Sequence, residues 1–391
     1  MPIQTWKLID TDTDTLIPER TLSTIDVPTG IGEFNIRKRV LQGGLRDGVN
    51  VVEVRHDEVY YTVIADRGMG LWRAGAGDVD LGWQSPVRGP VHPKFVPLDE
   101  PNGIGWLRGF DELLVRCGLD SNGAPEHGPD GVLRYPLHGR IANTPAHRLD
   151  VSIDDDAGEI NITGVVDETR LYGPKLRLTS SVTTRRGTRG IAIRDIVENL
   201  GSEPADLELL YHINVGAPLL TSAATFHAPV QTLVPKNERS ARDIQTWQQY
   251  AEGAPGAEEI VLFVELAADA QGRTETLLHN GSASGGVSGG VSLHLNRQQF
   301  PLFTVWKSGL PLSDGYVSGL EPCINLPHGK SFEKSQGRVA TLQPGERRQF
   351  DIGMEIHTTA SSVQQAVARI AALQATVQPK IFDTPQPGWS P

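Results

Sequence analysis

The sequence of 391 residues predicts an all-β fold built from antiparallel strands. Many short segments alternate apolar and polar residues with a period of two, or are enriched in β-branched residues. The 42 Gly and 27 Pro residues are scattered between these segments as turn residues. Helices of ten or more residues do not alternate regularly with the strands, which argues against a doubly wound α/β fold.

The predicted strands follow one another along most of the chain. Residues 49–69 read as a hairpin with His56, Asp57 and Glu58 as its polar turn. A Gly- and Ser-rich stretch, 281–290, is predicted to be a loop between strands. The later strand candidates begin at Glu159, Lys175, Gly190, Ala205, Glu259, Val291, Leu302, Tyr316, Gly337 and Arg347.

One helix is predicted, at about 361–374. Val363, Val367, Ile370 and Leu373 form a single apolar stripe, and Ser361 or Ser362 is placed to cap it. The Pro-rich tail that follows is expected to be extended on the surface.

No composition shift marks a linker, so we expect a single domain over 1–391. The segment of about 82–146 is irregular and dense in Gly, Pro, Trp and His, and loops of this kind on a rigid β scaffold often carry function. The sequence leaves open whether this segment closes over a site.

Charge and composition argue against several classes of partner. The net charge of −11 and the pI near 5.5 argue against a nucleic-acid partner, because no basic patch compensates for them. A secretory signal and an apolar run of about 18 residues are both missing from the sequence, so we expect a cytoplasmic protein with no membrane partner. Cys117 and Cys323 are too few for a disulfide scaffold and are expected to be buried structural thiols.

Two residues far apart in sequence, His212 and Glu321, form a candidate acid–base pair. In the strand from Ala205, alternate residues from Leu207 to Val215 are apolar, so His212 shares the opposite, mixed face with Asn214. Glu321 is expected to end its strand, because Pro322 has no N–H for the ladder. Taken singly, each residue reads more readily as an ordinary strand histidine or a solvated acid.

Several ordered segments resemble the galactose mutarotase (aldose 1-epimerase) superfamily. LHGRIANTPAH from Leu137, the strands from Asp195 to Gly216, and GLEPCINLP from Gly319 resemble the family's site segments, and TLQPGERRQFDIGMEIH from Thr341 is similar to its closing hairpin. DRGMG, WQSP and GFDELL are typical of a divergent aldose-1-epimerase-like subgroup. The resemblance implies a large antiparallel β-supersandwich of the galactose mutarotase type.

The resemblance also implies an isomerase that interconverts the α and β anomers of a free sugar in carbohydrate metabolism. Glu321 would be the general base and His212, as an imidazolium, the general acid, with His138 binding the substrate. The charge of Glu321 would raise the pKa of His212. The reaction implies no cofactor and no metal.

Basic residues near these motifs are further candidates for binding the sugar. Arg67, Arg140 and Lys307, together with Asn214, are predicted substrate contacts, although arginines of this kind commonly pair with local acids such as Asp66. Five tryptophans could offer a stacking platform, although most are expected in the core; they are Trp72, Trp83, Trp106, Trp247 and Trp306.

Three functions remain open on the sequence. The first is a mutarotase, the second another sugar isomerase or lyase that uses the same pair, and the third a non-catalytic carbohydrate-binding protein. A matched acid and base disfavours the third, because binding alone does not require one. The identity of the sugar, any acidic group on it, and the presence of a homodimer are left open.

Overall fold

A computed structural model describes residues 3–27, 29–281 and 289–391, and it has the predicted all-β architecture of large antiparallel sheets. Twenty-six strands and three α-helices are present in these residues. Most of the predicted 281–290 loop, residues 282–288, lies outside the described part of the chain.

The strands of the first half of the chain are β1 (Gln4–Asp10), β2 (Thr15–Leu16), β3 (Arg20–Ser23), β4 (Phe34–Val40), β5 (Asn50–His56), β6 (Val59–Ile64), β7 (Gly70–Ala76), β8 (Val79–Leu81), β9 (Leu114–Leu119), β10 (Glu126–His127), β11 (Leu133–Tyr135), β12 (Arg148–Asp154), β13 (Glu159–Thr169) and β14 (Lys175–Arg185). Those of the second half are β15 (Gly190–Asn199), β16 (Ala205–Gly216), β17 (Ala224–His227), β18 (Val230–Pro235), β19 (Ile260–Leu266), β20 (Arg273–Asn280), β21 (Gly289–Asn296), β22 (Leu302–Ser308), β23 (Val317–Cys323), β24 (Ala340–Leu342), β25 (Arg347–His357) and β26 (Lys380–Ile381).

The strands form two large sheets. The larger has fourteen strands and runs in the order β26-β18-β19-β22-β23-β16-β9-β7-β6-β5-β4-β3, with β24 beside β16 and β8 beside β7. The smaller has ten strands in the order β17-β20-β21-β25-β15-β14-β13-β12-β1-β2. β10 and β11 form a separate hairpin.

The main hydrophobic core lies between the inner faces of the two large sheets. Along β13, β14 and β15, buried and partly exposed residues alternate, as expected for strands with one face in a core. β16 contributes Leu207, Leu209, Tyr211, Ile213 and Val215 to the same core cluster. The predicted division of the β16 faces is therefore confirmed.

A buried ion pair links the two sheets through this core. Arg116 on β9 pairs with Asp195 on β15, and neither side chain has any exposure to solvent. The same guanidinium donates to Ser180 Oγ at 2.8 Å, and the Tyr211 hydroxyl donates to Asp195 at 2.7 Å. Both charges of this pair therefore have a counter-charge and further hydrogen-bond partners inside the core.

The predicted hairpin and C-terminal helix are both present. β5 and β6 are joined at Asp57 and Glu58, where Asp57 takes a φ of +52°. The helix spans Ala360–Gln374, and its cap is Thr359, whose Oγ1 accepts from the Ser362 N–H at 3.2 Å. The prediction of Ser361 or Ser362 as the cap was wrong, because the helix begins one turn earlier than its apolar stripe suggests.

The other two α-helices are short. They span Glu238–Arg242 and Lys330–Ser335, so the three helices in chain order are α1 (Glu238–Arg242), α2 (Lys330–Ser335) and α3 (Ala360–Gln374). In the part of the chain that the structure describes, no helix is both long and apolar enough to pass through a bilayer.

The loop-rich segment 82–146 covers the outer face of the larger sheet. Within it, β9 is a central strand of that sheet and pairs with β16. Leu113, Ile141 and Ala146 of the segment join the main core. Other residues of the segment pack on the opposite face of the sheet, where they form a second apolar cluster with it: Trp83, Trp106, Phe110, Val115, Cys117, Ala142, Leu210, Val261, Phe263, Leu302, Val317, Cys323 and Leu326. The larger sheet is thus covered on both faces around β16 and β23.

Candidate active site

His212 and Glu321 lie side by side under this cover, on neighbouring strands. β16 and β23 pair with Leu210 opposite Cys323 and Ile213 opposite Leu320, a register that places His212 opposite Glu321. Both side chains point to the outer face. His212 Nε2 lies 3.1 Å from Glu321 Oε1. The structure therefore brings together the two residues predicted as the acid–base pair.

Glu321 does not end its strand, contrary to the sequence prediction. β23 continues through Pro322 to Cys323, and Pro322 lies opposite Phe303 of β22. The missing N–H interrupts the pairing with β16 only at Tyr211 and His212, after which the ladder resumes in the same register. The carboxylate is therefore fixed within a central strand, where it is 2% exposed.

Burial controls the protonation of the pair. Desolvation lowers the pKa of His212 to about 4, against the smaller raising effect of its hydrogen bond to Asn214. Desolvation also raises the pKa of Glu321 well above its usual range. Burial of both groups therefore favours a neutral imidazole beside a protonated carboxyl. This direction is opposite to that of the imidazolium–carboxylate pair expected from the sequence, and the protonation of the pair stays a prediction.

Asn214 orients His212 rather than facing the place a sugar would occupy. Its Nδ2 donates to the backbone carbonyls of Glu112 at 3.0 Å and His212 at 3.1 Å. Its Oδ1 must therefore accept from His212 Nδ1, at 2.6 Å. His212 Nδ1 carries its hydrogen permanently, so Nε2, facing Glu321, is the atom that gains and loses a proton. The prediction of Asn214 as a substrate contact is corrected to this role.

His138 is the third predicted residue that the structure brings to the site. Its ring centroid lies 5.8 Å from that of His212 and 4.7 Å from that of Trp106. The turn that carries it has His138 at a φ of +56°, and Nδ1 contacts Asn122 Oδ1 at 3.2 Å. Desolvation first, and His212 second, lower the pKa of His138 well below its usual range. A neutral His138 can donate and accept hydrogen bonds.

Aromatic side chains surround the His212 ring. Phe110 lies 5.1 Å from it, Trp306 5.4 Å and Trp106 6.2 Å, measured between ring centroids. Trp106 is 1% exposed, whereas Trp306 is only half-buried. Trp306 and Lys307 are consecutive residues of β22, so the sequence predicts that they point to opposite sides of the sheet. It does not show which of the two side chains points to the site.

Gly319 provides the space into which the Glu321 carboxylate bends. It lies two residues before Glu321, on the same face of β23. A Cβ atom at position 319 would overlap Glu321 Oε1 and would lie 2.9 Å from His212 Cε1. The glycine of the GLEP segment is therefore part of the site, which could have been inferred from the two-residue spacing.

Arg67 does not face the site and is corrected to a structural ion pair. It has no exposure to solvent, and Nε donates to the Glu112 carboxylate. Its remaining nitrogens donate to Asn143 Oδ1 at 2.6 Å and to the Gly109 carbonyl at 3.0 Å. Arg67 therefore pairs with a local acid, Glu112, as expected from the sequence for arginines near these motifs.

Arg140 and Lys307 are also placed away from the pair. Arg140 is exposed and pairs with Asp99 at 2.9 Å. Lys307 projects to the opposite face of β22 from Trp306, where Nζ donates to the carbonyls of Trp247 and Gln249, each at 2.6 Å. Burial lowers the pKa of Lys307 to about 8. Lys307 is corrected, because strand alternation alone does not say which face bears the site. Arg140 lies outside the strands and pairs with a local acid, which is the alternative that the sequence left open.

Besides Trp306, the rim of the site contains residues that the sequence did not single out: Glu259, Lys236, His328 and Trp389. Trp306 Nε1 donates to Glu259 Oε2 at 2.9 Å, and Lys236 Nζ approaches Glu259 Oε1 at 3.5 Å. From the C-terminal tail, Trp389 packs against the outer-face cluster, and its carbonyl lies 2.8 Å from His328 Nε2. These contacts join residues 23 to 61 positions apart in the sequence, so no local pattern could reveal them.

Two further features bear on reactive or metal-binding chemistry. Cys117 and Cys323 are free and buried, as predicted, and desolvation raises both thiol pKa values well above their usual range. Among the described residues, Glu275, Glu355 and His357 form one group close enough together to hold a metal ion. Arg369 already donates to both carboxylates, at 2.7–3.1 Å, which neutralises much of the charge an ion would need.

Comparisons with known proteins agree with this architecture. A family model described as a domain of unknown function, DUF4432, matches residues 46–356. The crystal structure of a proposed aldose 1-epimerase from Klebsiella pneumoniae is similar over 98% of this chain and 99% of that one, with 30% sequence identity and a TM-score of 0.94. None of the curated proteins matches the chain.

More distant structures share the fold. A galactose mutarotase-like protein from Clostridium acetobutylicum is 16% identical with a TM-score of 0.55, over 82% of this chain and 98% of that one. A galactose 1-epimerase from Lactobacillus acidophilus is 11% identical with a TM-score of 0.54, over 84% of this chain and 99% of that one. The predicted β-supersandwich of the galactose mutarotase type is thereby confirmed.

Proposed function

This chain belongs to the DUF4432 family, on the galactose mutarotase-like fold, and from that premise we propose that it is an aldose 1-epimerase-like enzyme that interconverts the anomers of a free sugar. The observation that carries the proposal is the buried pair of His212 and Glu321, 3.1 Å apart on adjacent strands. Anomer exchange needs one proton acceptor and one proton donor at neighbouring oxygens, and this pair supplies both.

The pair holds one exchangeable proton over a wide range of pH. Below a pH of about 4 His212 becomes charged, and above the raised pKa of Glu321 the carboxyl loses its proton. Between these limits the proton lies on Glu321 or, in the ion-pair form, on His212. Both forms contain the same number of protons. In the neutral form Glu321 is the acid and His212 the base, and in the ion-pair form the roles are exchanged.

Ring opening converts one form of the pair into the other. One partner takes the proton from the anomeric hydroxyl, the bond between the anomeric carbon and the ring oxygen breaks, and the other partner protonates that oxygen. Rotation about the bond next to the new carbonyl exposes its other face. Closure with the reverse proton transfers yields the second anomer and restores the pair. If Glu321 is the base, as the sequence suggests, the reaction starts from the imidazolium–carboxylate pair. Burial favours the neutral pair as the starting form, in which His212 is the base and Glu321 the acid.

The surroundings of the pair support this chemistry. Glu321 Oε1 is buried without hydrogen-bond geometry to any donor in the described chain, so a sugar hydroxyl would supply its missing partner. Trp306 offers an apolar face for a sugar ring, and His138 offers ring nitrogens for a hydroxyl. The reaction moves only protons, so it calls for no metal or organic cofactor.

Exchange NMR on a panel of free aldoses tests the proposal. Catalytic amounts of the protein should accelerate saturation transfer between the two anomeric protons of at least one sugar. Glu321→Gln should reduce the acceleration by about 10²-fold or more, the usual contribution of a general acid or base. Glu203→Gln, the same change at an exposed site, is the matched control. Unaccelerated exchange across the panel, or full activity of Glu321→Gln, would contradict the proposal.

A further inference from the structure

Lys236 lies in the same surface as the acid–base pair. It follows β18, and its N–H donates to the Val261 carbonyl at 3.0 Å. Val261 lies opposite Trp306, Trp306 opposite Gly319, and Gly319 opposite Asn214, so these residues form one row across five strands. The next row contains Glu321 and His212. Lys236 therefore ends a row that begins beside the catalytic histidine.

The spacing between Lys236 and Glu321 suits a sugar. β18 and β23 are three strand steps apart, which separates their backbones by about 14 Å at roughly 4.8 Å per step. Lys236 Nζ reaches Glu259, beside β19, and the same carboxylate accepts from Trp306 Nε1. Trp306 is half-buried on β22, between β18 and β23, so an aromatic side chain of the kind on which a sugar ring stacks lies between Lys236 and Glu321.

The hydrogen bonds at the rim leave donors of Lys236 unused. In the described chain, the one acceptor of its ammonium is Glu259 Oε1, at 3.5 Å, and the side chain is 33% exposed. Glu259 is held more tightly by Trp306 Nε1, at 2.9 Å, so it also fixes the orientation of the tryptophan ring. The ammonium carries three hydrogens, and those not directed at Glu259 are available to a ligand.

The electrostatics agree with this geometry. Desolvation, and after it the charge of Glu259, raise the pKa of Glu321, while the positive charge of Lys236 lowers it. Lys236 also lowers the pKa of His138, after desolvation and His212. Lys236 is therefore close enough to act on both groups through space.

We propose that Lys236 is a substrate-binding residue that sets specificity, donating to an oxygen at the end of the sugar remote from the anomeric carbon. Trp306 supports the ring between Lys236 and the acid–base pair. The oxygen belongs to a hydroxyl or a carboxylate group, and a carboxylate is held more strongly because the hydrogen bond is then charged on both sides. The inference rests on the proposed function for the position of the anomeric carbon.

Steady-state kinetics of Lys236→Met test the inference, with the best aldose of the panel and the corresponding uronic acid as substrates. The variant keeps most of the side-chain stem and removes the charge. KM should rise about 10- to 100-fold, as expected for loss of a hydrogen bond to a charged group, while kcat changes much less. The rise should be larger for the uronic acid. The alkaline limb of the pH profile should move to higher pH, because the cation that lowers the pKa of Glu321 is gone.

The control is Lys380→Met, which removes an exposed lysine on the neighbouring strand β26, where its ammonium lies over Phe382. Equal KM values for wild type and Lys236→Met, or equal changes in KM for Lys236→Met and Lys380→Met, would overturn the role of Lys236 and leave the proposed function untouched. Saturation-transfer difference NMR on Glu321→Gln protein, with and without Lys236→Met, measures sugar binding apart from catalysis. Lys236-dependent binding without anomer exchange would reject the proposed function and keep this inference. Absence of sugar binding would reject both.

Discussion

Burial of Glu321, which the proposed reaction uses, lowers the stability of the folded protein at neutral pH. A carboxyl whose pKa is raised in the folded state binds its proton more tightly there than in the unfolded chain. Its favourable contribution is complete below the unfolded pKa, near 4.3, and is lost as the pH rises toward the folded pKa. At neutral pH the folded protein therefore keeps this residue at a cost in stability, which its role in the proposed reaction explains.

Glu321→Gln should accordingly stabilise the protein at neutral pH while it removes activity. The gain should grow by about 1.4 kcal/mol for each pH unit above the unfolded pKa, up to the folded pKa. Urea unfolding at pH 4, 6 and 8 measures the trend. Glu203→Gln, at an exposed position, should show no such slope. A pH-independent effect of Glu321→Gln would contradict the raised pKa.

Gly319→Ala should disable the site without unfolding the protein. The added methyl group would overlap the Glu321 carboxylate, and His212 closes the other side, so the acid must rotate away from the imidazole. Misplacement on the order of 1 Å lowers rates by about 10²-fold. The expected result is a loss of this size in kcat, with a circular dichroism spectrum like that of the wild type. Gly190→Ala, where the nearest neighbour is a backbone oxygen at 3.6 Å, is the control.

At the scale of residues, the sequence identified His138, His212 and Glu321, which the structure brings together, although their roles stay predictions. It named Asn214, Trp106 and Trp306 without the contacts that they make with His212, and it did not identify Phe110, Gly319 or Lys236. Asn214 is oriented by a backbone carbonyl about 100 residues earlier in the chain. Lys236 is brought near Trp306 and Glu321 by strand pairing through β19 and β22. The sequence also could not show how deeply the pair is buried, since that depends on which loop covers the sheet, and burial shifts both pKa values.

At the scale of elements, helix α3 offers a direct test of its start. The Thr359 side chain caps the first turn, and Val363, Ala366 and Ile370 pack on Leu277 of the smaller sheet. Thr359→Ala should cost about 1 kcal/mol of stability, the usual effect of losing a cap. Ser361→Ala, at the cap that the sequence suggested, should cost less than about 0.5 kcal/mol. Chemical denaturation of both variants measures the difference, and a reversed order would contradict the observed start.

Strands with one buried face were the most readily predicted. β13, β14 and β15 follow the predicted segments closely, because apolar and polar residues alternate along them. β9 lies in the segment assigned to loops, since all six of its residues are buried and the strand shows no alternation. The same double burial explains why β23 passes through Pro322, where sequence rules predict an end.

At the scale of the whole molecule, the Arg116–Asp195 pair should be a principal determinant of sheet-to-sheet packing. Asp195→Asn leaves a buried guanidinium without its counter-charge, which should cost about 3–5 kcal/mol. Asp351→Asn breaks an exposed pair with the neighbouring Arg194, 2.8 Å apart, and should cost less than about 1 kcal/mol. Urea unfolding compares them. Similar losses would mean that the buried pair contributes no more than a surface pair. That the chain forms one domain stays a prediction.

The placement of His212 and Glu321 on facing strands has a consequence for how this protein can vary in length. Adding or deleting one residue within β16 or β23 would turn every later side chain of that strand to the other face. The acid or its partner histidine would then point into the main core, and core side chains would point outward. Changes in length around the site are therefore expected in the covering segment and the tail, where new residues alter the surroundings of the reacting pair and leave the pair itself in place.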